Sequence, residues 1–145
     1  MQKGLDKVED IGYGIIPMMS ATRYNNGISG YVDEVNRLFA CNTITVVSNG
    51  ASTGEVFYQS LNYCATGDAN ILKPKFNLNI YSAMFIISLI RLDQYKFSYG
   101  RKWGKARMEI SVIKLPAIRN KNGNHEPDFE LMENYIKSLP YSSNL

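Results

Sequence analysis

The sequence predicts an α+β fold with mixed or antiparallel strands, one buried helix and a C-terminal helix. Short segments rich in β-branched residues fill the first half, and residues 43–48 are the clearest of them. Residues 79–95 place apolar side chains at near-helical spacing and are apolar enough to be largely buried. The chain has 145 residues, 45% of them hydrophobic, and contains no internal repeat. These properties predict one domain over residues 1–145.

Turn signals divide the beginning of the chain into strands. Residues 11–19 are predicted as a strand that Pro17 confines to a sheet edge or a bulge, because proline has no amide hydrogen to donate. Residues 25–27, Asn-Asn-Gly, predict a tight turn, since both residue types tolerate a positive φ. Residues 28–32 then return as a strand. Residues 35–40 are ambiguous and fit a single helical turn.

Further strands follow before the helix. Residues 43–48 and 55–59 predict a β-hairpin whose polar tip is residues 49–54. Residues 69–73 are predicted as another short strand, which the next residue, a proline, closes.

The last third predicts a helical turn and a second helix. Residues 108–116 fit a helical turn that leads into a strand, and residues 119–125 fit a surface loop. Residues 126–140 predict the C-terminal helix, with Pro127 in its first turn and Pro140 at its end. Its apolar stripe consists of Phe129, Met132, Ile136 and Leu139.

The basic charge is concentrated in one segment. Residues 91–121 contain nine basic and two acidic side chains, a local net charge of +7, whereas the whole chain carries only +3. A face that binds a polyanion requires such a concentration. On charge alone, a solvated basic face without a ligand is an equal alternative.

Metal and thiol chemistry find little support in the sequence. Cys41 and Cys64 are isolated from each other and from His125, the single histidine. Both cysteines are predicted to be small buried hydrophobic residues. With His125 the single histidine and no nearby cysteine, the sequence does not support a zinc site or a histidine-based catalytic triad. We therefore expect no metal ligand in this chain.

Catalytic motifs are also incomplete. Residues 12–14, Gly-Tyr-Gly, lack the third glycine of a dinucleotide fingerprint, and residues 50–54 lack the Lys-Ser/Thr ending of a phosphate-binding loop. Ser52 is the central residue of Gly-Ala-Ser-Thr-Gly, residues 50–54, but a predicted strand follows this string where a nucleophile elbow requires a helix. We expect no catalytic residue and no cofactor. The longest apolar run is too short to span a bilayer, and the N-terminus has no signal-peptide core, so a cytoplasmic location is expected.

Seven short strings occur along the chain in the order in which a known family carries them. The chain resembles the target recognition domain of type I restriction-modification specificity subunits and of type IIB and IIG restriction enzymes. The similarity covers roughly residues 13–142, and the strings near residues 99–102 and 135–140 are closer to the IIB and IIG enzymes. The strings are residues 16–22, 26–32, 45–54, 66–74, 99–102, 113–116 and 127–142.

The resemblance implies a single compact, HsdS-like domain that binds double-stranded DNA sequence-specifically and is not an enzyme. Its implied partners are DNA, a methyltransferase subunit and, as a further candidate, an endonuclease subunit, with the oligomeric state left open. The alternative is an interaction or regulatory remnant of such a system that does not bind DNA alone. The family has a further strand and loop before the first string, so an N-terminally truncated domain is the expectation.

Two groups of residues are the candidate DNA contacts under this hypothesis. Basic side chains would contact phosphates, and polar side chains of loops would reach base edges, although each of the latter also has an ordinary role in turns. Trp103 would stack on the nucleic acid or anchor its loop on the core. The phosphate candidates are Arg101, Lys102, Lys105 and Arg107, and the base-edge candidates are Arg23, Tyr24, Asn25, Asn49, Ser52 and Thr53.

Overall fold

The computed structural model describes residues 1–145 and has nine strands and three α-helices. The helices are α1 (Ile80–Arg91), α2 (Lys105–Glu109) and α3 (Phe129–Ser138). The strands form a four-stranded sheet, a three-stranded sheet and a separate two-stranded ribbon. They are β1 (Gln2–Lys3), β2 (Ile16–Met19), β3 (Ile28–Val32), β4 (Thr43–Val47), β5 (Val56–Gln59), β6 (Cys64–Ala65), β7 (Ala69–Leu72), β8 (Ala117–Arg119) and β9 (His125–Pro127).

The four-stranded sheet is antiparallel throughout and has the strand order β1-β7-β4-β5. All five residues of β4 are buried, as a central strand of β-branched residues requires. β4 and β5 form the predicted hairpin, which begins with Thr43 opposite Gln59. The predicted strands at residues 43–48, 55–59 and 69–73 are thus confirmed, each shorter by one residue.

The outer edge of β5 is covered by side chains from two other elements. Asn26 Nδ2 donates a hydrogen bond to the carbonyl oxygen of Tyr58 at 2.9 Å. The guanidinium of Arg91, at the end of α1, donates to the carbonyl oxygen of Val56 at 3.0 Å. These two bonds use carbonyl groups that an uncovered edge strand would present to other chains.

The three-stranded sheet has the order β3-β2-β6, with β2 antiparallel to β3 and parallel to β6. Strand β2 begins at Ile16, five residues later than predicted. Strand β6 pairs with β2 only at Met18 and Met19, so Pro17 has a neighbouring strand on one side alone. The register shifts between Met18 and Met19. Strand β2 is the central strand of this sheet, so the expected edge strand is wrong, whereas the register shift confirms the alternative of a bulge. Pro17 is tolerated because its missing amide hydrogen has no partner in β6.

The largest core cluster lies where α1 and α3 meet the four-stranded sheet. Asn79 caps α1 by accepting a hydrogen bond from Ser82 N at 3.0 Å, and its amide donates to Glu133 of α3 at 2.6 Å. The buried face of α1 confirms the predicted buried helix, although the helix ends at Arg91. The buried members are Ile44, Val46, Val56, Tyr58, Leu78, Ala83, Ile86, Ile87, Ile90, Trp103, Met108 and Met132. None of the three α-helices has the length and apolar character needed to cross a bilayer.

Three predictions about the remaining segments are wrong in detail. Residues 35–40 form no helical turn. Helix α2 begins at Lys105, three residues before the predicted turn. Pro127 lies in β9 and not in a helix, because α3 begins only after Asp128, whose side chain accepts a hydrogen bond from Leu131 N at 2.9 Å. The fixed φ of proline suits a ribbon strand as well as a first helical turn.

Candidate nucleic-acid interface

Trp103 fixes the basic loop, which we define as residues 96–107, on the protein core. Its side chain is only 2% exposed and stacks on Phe97, with the ring centroids 4.3 Å apart and the planes 10° from parallel. Asn70, fully buried in β7, donates from Nδ2 to the carbonyl oxygen of Trp103 at 3.0 Å. Of the two roles considered for Trp103, the structure therefore shows the core anchor.

Hydrogen bonds continue from Trp103 into α2. Trp103 Nε1 donates to Ser111 Oγ at 3.2 Å, and Ser111 Oγ donates to the carbonyl oxygen of Arg107 at 2.9 Å. The guanidinium of Arg107 donates to the carbonyl oxygen of Lys102 at 2.8 Å. The loop is thus held by contacts within the chain, through the stack on Phe97 near its start and through Arg107 at its end.

The cations of this loop differ in whether an acidic group neutralises them. Arg101, Lys102 and Arg107 are exposed and have no carboxylate within ion-pair distance. Lys105 forms an exposed pair with Glu109 at 3.7 Å, an arrangement that contributes little free energy. Three of the four phosphate candidates therefore keep their full charge toward solvent.

Lys96 joins these cations at a shallow concavity. The concavity has a volume of about 430 Å³, and its lining includes Lys96, Arg101 and Arg107. The carboxylate of Asp93 accepts a hydrogen bond from Lys96 at 2.6 Å, which raises the pKa of the Lys96 ammonium. Lys96 was not among the sequence-based candidates, although it lies in the same basic segment and the local charge pointed to it.

The first turn, residues 23–27, has a backbone that few residue types tolerate. Asn25, Asn26 and Gly27 all have positive φ, at 48°, 52° and 78°. A Cβ atom at Gly27 would lie 2.3 Å from Met19 Cε, so this position requires glycine for space as well. Tyr24 is 74% exposed, and its side chain makes no hydrogen bond. The predicted turn is confirmed.

The hairpin tip, residues 49–54, buries two of the three polar side chains that the sequence suggested as contacts to base edges. Ser52 is 8% and Thr53 is 5% exposed, and Thr53 Oγ1 donates to the carbonyl oxygen of Gly50 at 2.7 Å. The side-chain amide of Asn49 donates to Asp68 at 2.9 Å. Neighbouring elements bury Ser52 and Thr53, so the structure does not favour these two candidates as contacts to base edges.

The hairpin tip contacts both the first turn and the segment that leads into the basic loop. On one side, Arg23 donates to the carbonyl oxygen of Ala51 at 3.1 Å. On the other side, Gly54 approaches Gln94 so closely that a Cβ atom there would lie 2.6 Å from Gln94 Cγ. Gln94 begins the short 3-10 turn that ends at Lys96. The candidate interface therefore extends from Arg23 across the tip to the basic loop.

The structure does not bring together the side chains that a metal site or a reactive cysteine needs. No group of three or more His, Cys, Asp or Glu side chains is placed to hold a metal ion. Burial, followed by the charge of Asp6, raises the pKa of the Cys64 thiol to about 12. The thiol form, which dominates below that pKa, is a poor nucleophile. Cys41 is half-buried and not fully buried as predicted.

Comparison with known proteins gives three matches. Residues 2–139 match the family described as the type I restriction modification DNA specificity domain. The chain is 33% identical over 131 residues to the type II restriction enzyme BgcI specificity subunit S.BcgI of Heyndrickxia coagulans. That alignment covers 90% of this chain and 37% of the relative, so the chain spans just over a third of the relative's length.

A solved structure supports the same assignment. The S subunit of a type I restriction-modification system from M. genitalium is similar with a TM-score of 0.50 and 26% identity, over 66% of this chain and 24% of that one. The similarity confirms the predicted α+β fold. Because the family match extends over nearly the whole length, the chain belongs to the family of type I restriction modification DNA specificity domains.

Proposed function

We propose that the chain recognises a specific sequence in double-stranded DNA through the surface formed by the first turn and the basic loop. Family membership gives the role in DNA specificity, and the surface is our assignment. The observation that carries it is the set of uncompensated cations Arg101, Lys102 and Arg107 on a loop that Trp103 anchors to the core. A pre-ordered cationic surface loses little conformational entropy when it binds a polyanion.

In this proposal the basic loop contacts the phosphate backbone. Phosphate contacts supply affinity and orientation but carry no direct sequence information. Each neutralised phosphate releases condensed counterions, so binding weakens as the salt concentration rises. Lys105 contributes less than its neighbours, because Glu109 already lies 3.7 Å from its ammonium.

Base edges would be read from the first turn. Tyr24 and Asn25 are exposed, and an Asn amide can form two hydrogen bonds with adenine. Asn25 Nδ2 donates a long hydrogen bond of 3.4 Å to the carbonyl oxygen of Ile28, which it would exchange for the base. Arg23 is also exposed, but its guanidinium donates to the carbonyl oxygen of Ala51, so it would position the first turn as well as contact a base. Asn49 is held by Asp68, and Ser52 and Thr53 are buried, so these three stay outside the proposed reading set.

The test is selection from a pool of random duplexes at about 50 and 200 mM salt. We expect one enriched sequence and an affinity that falls with salt. The double variant Arg101→Ala, Lys102→Ala should weaken all sequences alike and reduce the slope of log affinity against log salt by about two. The matched control is Lys3→Ala, Lys7→Ala, which removes two exposed, unpaired lysines elsewhere.

Two results would contradict the proposal. The first is the absence of any enriched sequence, both for the chain alone and with a methyltransferase subunit present. The second is a salt slope that the control variant reduces as much as the basic-loop variant does. If one sequence is enriched but its affinity does not depend on salt, the proposed phosphate contacts are wrong and the proposed recognition role stands.

The remaining parts of the proposal concern partners and activity. We propose that the chain has no catalytic activity, and that a methyltransferase subunit and, in some assemblies, an endonuclease subunit supply it. The cytoplasmic location expected from the sequence belongs to the same proposal. No observation favours the alternative of a remnant that does not bind DNA. Reconstitution with a methyltransferase subunit, read as methyl transfer to the selected duplex, tests the partnership.

A further inference from the structure

The β8–β9 ribbon, residues 117–127, is a surface feature to which the proposed function so far gives no role. Its strands pair only with each other, from Ala117 opposite Pro127 to Arg119 opposite His125. Every residue of both strands is exposed. At the base, Asp128 N donates to the carbonyl oxygen of Pro116 at 2.9 Å, and Phe129 packs on Phe76. The ribbon is therefore an arm attached firmly at one end.

The turn of the ribbon is held by its own hydrogen bonds. Asn120 Oδ1 accepts from Asn122 N at 3.0 Å and from Asn124 N at 2.9 Å. Asn120 Nδ2 donates to Glu126 at 2.6 Å, and Gly123 supplies a positive φ of 81°. One asparagine side chain thus orders the turn, so binding a ligand there does not require a disordered loop to fold.

The other polar side chains of the tip remain unused within the chain. Asn122 and Asn124 contribute only backbone groups to the turn, and their side-chain amides form no hydrogen bond. The ammonium of Lys121 has no carboxylate partner. Arg119 and His125 face each other across the strands and are likewise free. Only Asn120 and Glu126 are engaged.

The free groups match the edges of bases in a duplex. Asn amides pair with adenine, and Lys and Arg pair with guanine, in the major groove. That groove admits a two-stranded β-ribbon and is about 8.5 Å deep. The three residues of each strand, at about 3.3 Å each, span about 10 Å, and the turn projects beyond them. The tip can therefore approach the floor of the groove.

We infer that the ribbon enters the major groove and reads bases with Lys121, Asn122 and Asn124. The inference rests on the proposed function and adds a second reading element to it. A protein partner is the other class of occupant for an arm of this kind. The tip, residues 119–125, has no apolar side chain that could fill a pocket on a protein, and this favours DNA.

The experiment compares duplex selection by the wild-type chain, the variant Asn122→Ala, Asn124→Ala, and the variant Lys121→Ala, Asn122→Ala. Asn120 is kept so that the turn stays ordered, and circular dichroism verifies folding. The matched control for the second variant is Lys7→Ala, Asn144→Ala, which removes one exposed lysine and one exposed asparagine whose side chains are free.

We expect the ribbon variants to lose the preference for one or two bases of the selected sequence, by about 5- to 150-fold each, while the control keeps it. An unchanged base preference for both ribbon variants would overturn the inference and leave the proposed function intact. A uniform loss of affinity without a changed preference would also overturn it, because that result indicates phosphate contacts. Loss of methyltransferase binding with an unchanged preference would assign the ribbon to a protein interface. If the wild-type chain enriches no sequence either alone or with a methyltransferase subunit present, the proposed function fails and this inference with it.

Discussion

Replacing Trp103 should show how strongly the basic loop depends on the core. The side chain is 2% exposed, so Trp103→Ala removes a large buried ring and should lower the free energy of unfolding by about 3–5 kcal/mol. Of that loss, the stack on Phe97 accounts for about 0.5–1.5 kcal/mol and the bond to Ser111 for about 1 kcal/mol. Trp103→Phe keeps an aromatic ring beside Phe97 and should cost only about 1–2 kcal/mol.

Urea unfolding followed by circular dichroism measures these differences. Fluorescence does not serve here, because Trp103 is the single tryptophan and the variants lack it. Ser111→Ala removes the same hydrogen bond from the other side, so its effect and that of Trp103→Phe should be less than additive in the double variant. A loss below about 1 kcal/mol for Trp103→Ala, or fully additive effects in the double variant, would refute the anchoring role.

Three further predictions concern other parts of the chain. Gly14→Ala should destabilise the fold by about 1–3 kcal/mol, because a Cβ atom there would lie 1.8 Å from the Val32 carbonyl carbon. The control Gly12→Ala places its Cβ atom where no other atom lies within 4 Å, so it should be nearly neutral in the same thermal denaturation. A disulfide-exchange reagent should modify Cys41 in the folded chain and Cys64 only after unfolding, since the pKa of the buried Cys64 thiol is raised to about 12; mass spectrometry counts the modified thiols. The hydrogen bond from the Asn79 amide lowers the pKa of Glu133 in the folded chain. The ionised carboxylate therefore contributes its full stabilisation above the ordinary pKa of 4.5 and loses it as the pH falls through the lowered pKa. Glu133→Gln should make the free energy of unfolding depend less on pH in that range, as urea unfolding at several pH values would measure.

The sequence pattern within a segment was sufficient to predict the strands that contain a clear run of β-branched or apolar residues. Strands β4 and β7 have β-branched or apolar runs between turn residues, and the Asn-Asn-Gly turn before β3 needs positive φ at three positions. These features depend on neighbours in the chain, so a single sequence reveals them. The anchoring role of Trp103 was one of two open readings, because its partners Phe97, Asn70 and Ser111 include one from a distant strand.

The errors arise where distant parts of the chain meet or where a signal is short. Ser52 and Thr53 appear polar and loop-like, but the first turn and Gln94 pack on the two sides of their tip and bury them. Strands β8 and β9 have three residues each and no alternation, so the segment resembled a loop. The Asn122-Gly123 pair at its centre is a hairpin signal that could have revealed the ribbon.

The covered edge of β5 has a consequence for how such a domain can acquire a new target. Asn26, next to the proposed base contacts Tyr24 and Asn25, shields that edge, so an insertion or deletion in the first turn would also expose a strand to aggregation. New specificity can arise there only by exchange of side chains at constant length. The β8–β9 ribbon shields nothing and pairs only with itself, so its tip can lengthen or shorten without harming the core. Across relatives, variation in length should therefore concentrate at the ribbon, and variation in side chains at the turn.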